Sequence, residues 1–351
     1  MFNMPLVSVV IAVYNGEKYL RETLESLCAQ TLEAWECWIV DDGSNDATVS
    51  IVETYCQKDK RFRLIKTPGR QGPYIAANLA FPHCAGKYIA RTDADDISLP
   101  ERFSTQVSYM ELHPEIKVCG GWHFNLLEEG GTKLRHYETD PVFLRWQLLF
   151  RCTIVHSTMM LRKDWFESIG YYPSKRLAQD WYIWQRAARE EVLHVICEPL
   201  ILWRIHAQSI TKTETAPQFD AGAAVACKNM ESVTGDMPDY DSVKALIGAM
   251  RGDKLELIPR AEDCLRLITK LFFTFETENI IRTKKQLILI RNEFHRIVFS
   301  LLLTYYKGNT LEILKFSSYS LKVGQSRQWY KGMVYFFFQA FLKPYRNAAQ
   351  E

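Results

Sequence analysis

Between residues 6 and 90 the chain alternates between two hydrophobic textures. Residues 6–13 form a valine-rich apolar run, interrupted by Ser8 alone and bounded by Pro5 and by Asn15 and Gly16, the pattern of a buried strand. Residues 17–30 instead place Leu20, Leu24, Leu27 and Cys28 at helical spacing. The alternation continues: apolar run at 36–40, helical spacing at 48–55, a third strand at 61–66, a helix opened by Pro73 over 73–81, and a fourth strand at 87–90. Strand–helix alternation predicts an α/β domain with a mostly parallel sheet carrying helices on both faces.

From about residue 116 the texture changes. Residues 118–124 and 132–137 read as two strands around the Gly130, Gly131 pair, a hairpin signal. Residues 141–150 predict a helix, 156–161 a strand, 177–189 a helix, and 193–204 one or two short strands. After about residue 217 the chain reads as mainly helical. The predicted organisation is therefore 1–115 and 116–216 as two halves of one α/β domain, followed by a helical region over 217–351.

Composition narrows the function. The chain has 351 residues with 43 Lys+Arg against 41 Asp+Glu, a net charge of +2, so no global field points to nucleic acid. Nine cysteines show no paired C-x-x-C spacing and read as reduced thiols of a cytoplasmic protein, not as a disulfide framework or a zinc site. No apolar run approaches the roughly 18–20 residues of a spanning helix. The run after Leu6 lacks a basic leader and a small-residue cleavage site, so it does not read as a signal peptide.

Polar clusters follow three of the predicted strands: Tyr14, Asn15 and Gly16 after the first, Asp41, Asp42, Gly43 and Ser44 after the second, and Asp93, Ala94, Asp95 and Asp96 after the fourth. In a parallel α/β sheet, ligands bind outside the carboxyl ends of the strands, so these loops are expected to share one edge. Each cluster alone also fits a turn or a helix cap. Carboxylates as close as Asp93, Asp95 and Asp96 repel, and a hard divalent cation relieves that repulsion. The chain carries neither G-x-x-x-x-G-K-[ST] nor G-x-G-x-x-G, so a diphosphate would be held through Mn2+ or Mg2+ and not by a glycine cradle. Asp41 and Asp42 are placed to accept hydrogen bonds from a base or ribose.

Five segments in order carry a resemblance: PLVSVVIAVYN (5–15), DDGS (41–44), ARTDADDISLPER (90–102), QDWYIWQR (179–186) and WRIH (203–206). Together they resemble the family 2 inverting glycosyltransferases with the GT-A fold, over roughly residues 5–211. The resemblance implies that Ala12 and Tyr14 pack on base and ribose, that Asp41 reads the pyrimidine edge, and that Asp93 contacts the ribose or the donor sugar. It further implies Asp95 as a metal ligand in a D-x-D pattern, His206 at the metal or diphosphate, Arg204 in the R-x-H segment, and Asp180 as the catalytic base. The chain departs from the family at Gln179, where glutamate is usual.

Several side chains keep two readings. Asp180 fits either a base on the acceptor face or an exposed helix residue paired with Arg186 or Lys175. His156 fits an acceptor-site residue or a satisfied core histidine. Arg91 fits a phosphate contact or a counter-charge to the acidic loop. Trp181 and Trp184 fit sugar-stacking or core positions, and Gly72 and Asn78 fit the loop and helix covering the nucleotide.

Residues 329–345 are nearly apolar except for Lys331, Tyr335, Gln339 and Lys343, spaced by four on one helix face, and residues 313–350 carry six basic and no acidic side chains. This fits an interfacial helix on an anionic membrane, or a helix packed on the protein or a partner.

The resulting expectation is a metal-dependent inverting enzyme that moves a sugar from a nucleoside-diphosphate donor, UDP-linked by resemblance. The acceptor would be a hydroxyl of a glycan or lipid-linked glycan in bacterial surface-polysaccharide or lipopolysaccharide assembly, at the cytoplasmic face of the membrane. The rival readings are a sugar-nucleotide nucleotidyltransferase, which would want a basic phosphate loop where the chain offers only Lys18, and a non-catalytic nucleotide-binding scaffold, toward which Gln179 leans.

Overall fold

A computed structural model describes residues 4–173, 177–207, 209, 215–251 and 261–305. The residues 313–350 proposed to meet a membrane lie outside this set. The chain divides into two compact units, one of residues up to 148 and 152–222, the other of 149–151 and 223 onward.

In the first unit, β1 (Val7–Val13), β2 (Trp35–Asp41), β3 (Phe62–Lys66) and β4 (Tyr88–Arg91) alternate with α1 (Leu20–Cys28), α2 (Thr48–Lys58) and α3 (Pro73–Ala80). All four strands run parallel, in the order β3-β2-β1-β4. Six of the seven β1 residues are buried, as expected of a central strand covered on both faces. Leu20, Leu24 and Leu27 bury the inner face of α1 against this sheet. Pro73 opens α3 behind Gly72, whose φ of 104° suits a residue without Cβ.

The sheet then continues with reversals. β8 (Met160–Arg162) lies antiparallel between β4 and β6 (Val118–Leu127), and β9 (Leu193–Ile205) runs parallel to β6. β5 (Ile97–Ser98) closes the far edge antiparallel to β9, and β7 (Thr132–Arg135) forms the expected hairpin with β6. The sheet is thus mixed and mostly parallel on its first side, with α4 (Arg102–Leu112), α5 (Pro141–Gln147), α6 (Lys163–Ser168) and α7 (Gln179–Arg189) against it. The Asp140 carboxylate caps α5 by accepting from the amides of Val142 and Phe143, with Pro141 at the first helical position.

Two expectations need correction. Residues 156–158 form a 3-10 turn, and the strand begins only at Met160. Residues 193–205 form one 13-residue strand, not two short ones, carried past an irregularity by a register shift against Gly121 and Trp122. β5 and α6 went unpredicted; β5 has two residues, too few for a periodicity.

The second unit is helical: the rest of α8 (Thr215–Thr234), then α9 (Tyr240–Arg251), α10 (Ala261–Thr277) and α11 (Lys284–Tyr305). Its core includes Leu246, Phe272, Phe275, Phe294 and Ile297, with the rings of Phe272 and Phe294 4.8 Å apart. No helix among the described residues is long and apolar enough to cross a membrane. No disulfide joins the cysteines.

Candidate active site

Because β2, β1 and β4 are adjacent and parallel, the loops after them meet on one edge. The first two are laced together. The Asn15 amide donates to Ser44 Oγ at 2.9 Å, Asn15 Oδ1 accepts from the Asn45 amide at 3.0 Å, and the Gly16 amide donates to Thr48 Oγ1 at 2.8 Å. Asn15 sits at φ 52°, the left-handed region that asparagine tolerates better than most residues. Asp41 is buried, and its carboxylate accepts from the Ser44 amide at 3.2 Å.

Asp42 is committed differently. Its two oxygens accept from the amides of Gln71 at 2.8 Å and Gly72 at 2.7 Å, and Thr67 Oγ1 lies at 3.3 Å. Asp42 therefore straps the 67–72 loop to the sheet edge. That loop brings the Arg70 guanidinium to 4.4 Å from the ring of Tyr14, which is 39% exposed. Ala12 is half-buried beside them at the end of β1.

The third loop rests on two fully buried arginines. Arg102 donates to Thr92 Oγ1 and Ser98 Oγ, both at 2.9 Å, and to the Arg91 carbonyl at 2.7 Å; burial lowers its guanidinium to about 9. Arg91 donates to the Val10 carbonyl and approaches Asp93 Oδ1 at 3.4 Å. Arg91 thus sets its charge against Asp93.

Asp93 is gripped by Arg91, by His156 Nδ1 at 3.6 Å, and by Ser157, whose Oγ accepts from the Asp93 amide at 3.0 Å. Burial opposes ionisation there, but His156, Arg91 and Ser157 outweigh it and hold the carboxyl down at about 2. Asp95 is the opposite case: burial, then the charge of Asp93, push it up. Asp96 is 1% exposed and pushed well up by burial and by both neighbours.

β9 delivers the partners of this loop from more than a hundred residues away. His206 Nε2 lies 2.8 Å from Asp95 Oδ2, the Arg204 Nε donates to the Asp95 carbonyl at 2.9 Å, and the Arg204 amide donates to Asp96 Oδ1 at 2.9 Å. The pairing of Ile97 with Leu202 and Ser98 with Ile201 sets this register. His206 is 7% exposed, rests 4.9 Å from the Tyr19 ring, and leaves Nδ1 without a hydrogen-bond partner among the described residues.

A carboxylate oxygen and an imidazole nitrogen that converge, beside neighbouring charges that push Asp95 and Asp96 up, suit a divalent cation. Asp95 and His206 would hold it. Among the described residues no group of three His, Cys, Asp or Glu side chains gathers for that purpose.

Asp180 occupies the second position of α7, after Ala178 at φ 61°. Its carboxylate receives the Cys152 thiol at 3.8 Å. Burial, then Asp180, keep that thiol well above its ordinary value, so it stays a neutral donor. The phenols of Tyr74 and Tyr172 are likewise raised by burial, and the negative charges of Asp180 and Asp93 add to it. Gln179 is 1% exposed, with both amide atoms unpartnered among the described residues.

Other expected residues are spent internally. His156 is 7% exposed, with Nε2 at 2.7 Å from the Tyr172 hydroxyl. Asn78 brackets the backbone of Tyr172, donating to its carbonyl at 2.9 Å and accepting from its amide at 3.2 Å. Trp181 and Trp184 are core residues, 6% and 0% exposed. Tyr74, Cys152 and Tyr172 were missed, since nothing in their local sequence marks them; each acts through a partner distant in the chain.

A parallel nucleotide-type edge joined to a mixed second half, with an acidic loop facing a returning Arg-x-His strand, defines a glycosyltransferase domain of the GT-A class. Residues 8–170 match the family model described as Glycosyl transferase family 2. The chain is 35% identical over 207 residues to an uncharacterized glycosyltransferase of Methanocaldococcus jannaschii, covering 57% of this chain and 71% of that one. It is 32% identical over 183 residues to the amylovoran biosynthesis glycosyltransferase AmsE of Erwinia amylovora, covering 52% and 69%. The crystal structure of S. aureus TarS 1-349 in complex with UDP shares the fold, with a TM-score of 0.54 at 18% identity and 92% of each chain covered. The chain belongs to glycosyl transferase family 2 and is a glycosyltransferase.

Proposed function

We propose that this chain is an inverting, divalent-metal-assisted transferase that moves a sugar from a UDP-sugar to a hydroxyl of a glycan or lipid-linked glycan during surface-polysaccharide assembly. The observation that carries this reading is the convergence of Asp95 with His206 at 2.8 Å, beside Asp93, on the edge formed by β2, β1 and β4. The name of AmsE supports the polysaccharide setting, and TarS, solved with UDP and with UDP-GlcNAc, supports the donor class.

In this reading residues 1–115 bind the donor and 116–216 bind the acceptor and carry the base. Ala12 and Tyr14 pack on the nucleoside and Asp41 accepts from the base. Asp42 keeps the 67–72 loop, and with it Arg70, over that nucleoside. Asp93, kept ionised by His156 and Arg91, accepts hydrogen bonds from the ribose or donor sugar. Mn2+ or Mg2+, held by Asp95 and His206, would supply charge neutralisation at the departing diphosphate.

Asp180 accepts the proton of the acceptor hydroxyl as that oxygen bonds to the anomeric carbon. The electron pair of the broken carbon–oxygen bond leaves with UDP. The neighbouring thiol is a weak hydrogen-bond donor, so it orients the carboxylate without much reducing its basicity.

The test is Asp180→Asn, assayed with a panel of sugar nucleotides and Mn2+. Transfer should fall by about a thousandfold or more, while UDP affinity stays within about twofold of wild type. Full transfer by that variant would remove Asp180 from the mechanism. Release of pyrophosphate by the wild-type protein would favour nucleotidyl transfer instead.

A further inference from the structure

We propose that Tyr172 and His156 form a buried tether that positions the Asp93 carboxylate on the donor side of the site. His156 thereby acts as a positioning residue and not as a contact to the acceptor. The inference rests on the reading that Asp93 faces the donor.

The tether runs through one hydrogen bond and one longer contact. The Tyr172 hydroxyl lies 2.7 Å from His156 Nε2, and His156 Nδ1 lies 3.6 Å from Asp93 Oδ1. In the tautomer that carries its proton on Nδ1, Nε2 accepts from the Tyr172 hydroxyl and the Nδ1 proton faces the carboxylate. Both ring nitrogens of His156 are then engaged, and at 7% exposure the ring offers nothing to a sugar. Tyr172 is 2% exposed and is itself clamped, because Asn78 holds its backbone from both sides at 2.9 Å and 3.2 Å. Tyr74 closes the assembly, its ring centre 5.6 Å from that of His156 and 5.1 Å from that of Tyr172.

The outer face of Asp93 stays available, since its side chain is 41% exposed where those of His156 and Arg91 are 8% and 1% exposed. A carboxylate fixed on its inner side and open on its outer side loses little rotamer freedom on meeting a ligand, which favours binding. Asn78, expected near the nucleotide, would then serve the donor through Tyr172.

The experiment pairs a spectrum with a double-mutant cycle. In histidine-labelled wild-type protein without ligand, 15N spectra should show the His156 proton held at Nδ1, and Tyr172→Phe should spread it over both ring nitrogens. Donor hydrolysis in the presence of Mn2+ would be measured for wild type, Tyr172→Phe, Asp93→Asn and the double variant. Tyr172→Phe should lower kcat/KM about tenfold in the wild-type background and less than about twofold in the Asp93→Asn background.

Equal losses in both backgrounds would mean that Tyr172 acts on folding alone and would overturn the tether, as would an Nε2-protonated tautomer in the wild type. Should Asp93→Asn be too slow to measure, the tautomer decides. Wild-type turnover by Asp93→Asn would be a different failure, removing Asp93 from the donor site and the proposal with it.

Discussion

The two halves of the sheet use their polar side chains in opposite ways. Along β3, β2, β1 and β4 the side chains of Asn15, Asp42, Ser44 and Asp46 bind backbone amides of neighbouring loops. They build a rigid binding edge from contacts close in space and ordered along the chain. Across β8, β6, β9 and β5, the decisive pairs are side chain to side chain: Asp95 with His206, 111 residues apart along the chain, and Cys152 with Asp180. The lesson is a division of labour, in which parallel βαβ units preform a cradle and the antiparallel return brings reactive groups to it.

The sharpest break in this comparison is Asp95→Asn. It leaves the first-half cradle intact, so Mn2+-dependent enhancement of UDP affinity should fall by about a hundredfold while metal-free affinity barely changes. Calorimetry with and without Mn2+ reads both, and an undiminished Mn2+ effect would detach the second half from donor binding.

The converse variant, Asp42→Ala, strikes the cradle. It orphans the buried Gly72 amide and the part-buried Gln71 amide, and denaturant unfolding should show a loss of about 3 kcal/mol. A loss confined to UDP affinity, with stability untouched, would mean that Asp42 serves the ligand directly.

A third test addresses acid sensitivity in the second half. His123 on β6 is 6% exposed, and burial, then Arg135, lower its imidazole to about 4. The unfolded chain takes up this proton near pH 6.5, the folded chain only near pH 4, so the stability it permits is complete above about 6.5 and lost as pH falls toward 4. The loss attributable to this residue is about 3 kcal/mol, and His123→Asn should remove that slope from the difference in stability with pH.

The smallest effect is expected from Cys152→Ser. A hydroxyl donates more strongly than a thiol, so the basicity of Asp180 and the transfer rate should fall only several-fold, with donor KM unchanged. An unaltered rate would show that this contact is packing alone.

Much of this molecule was legible in its linear pattern. The valine-rich run at 7–13 and the largely apolar run at 35–41 can satisfy themselves only as buried strands, and strand–helix alternation then forces acidic loops 41–44 and 93–96 onto one edge. The order of the motifs carried the family, and with it the expectation that His206 joins Asp95 at the metal or diphosphate. Tertiary structure decided what each polar group does. Asp41 and Asp42 are adjacent and chemically identical, yet one lies at the edge and the other is consumed by the amides of Gln71 and Gly72. His156 ends against Tyr172, and Asp180 against Cys152, because β8, the 170–172 turn and α7 are brought together by packing. Hydrophobic period is a property of neighbours in sequence. The partner of a buried polar atom is chosen by neighbours in space, and no local pattern records it.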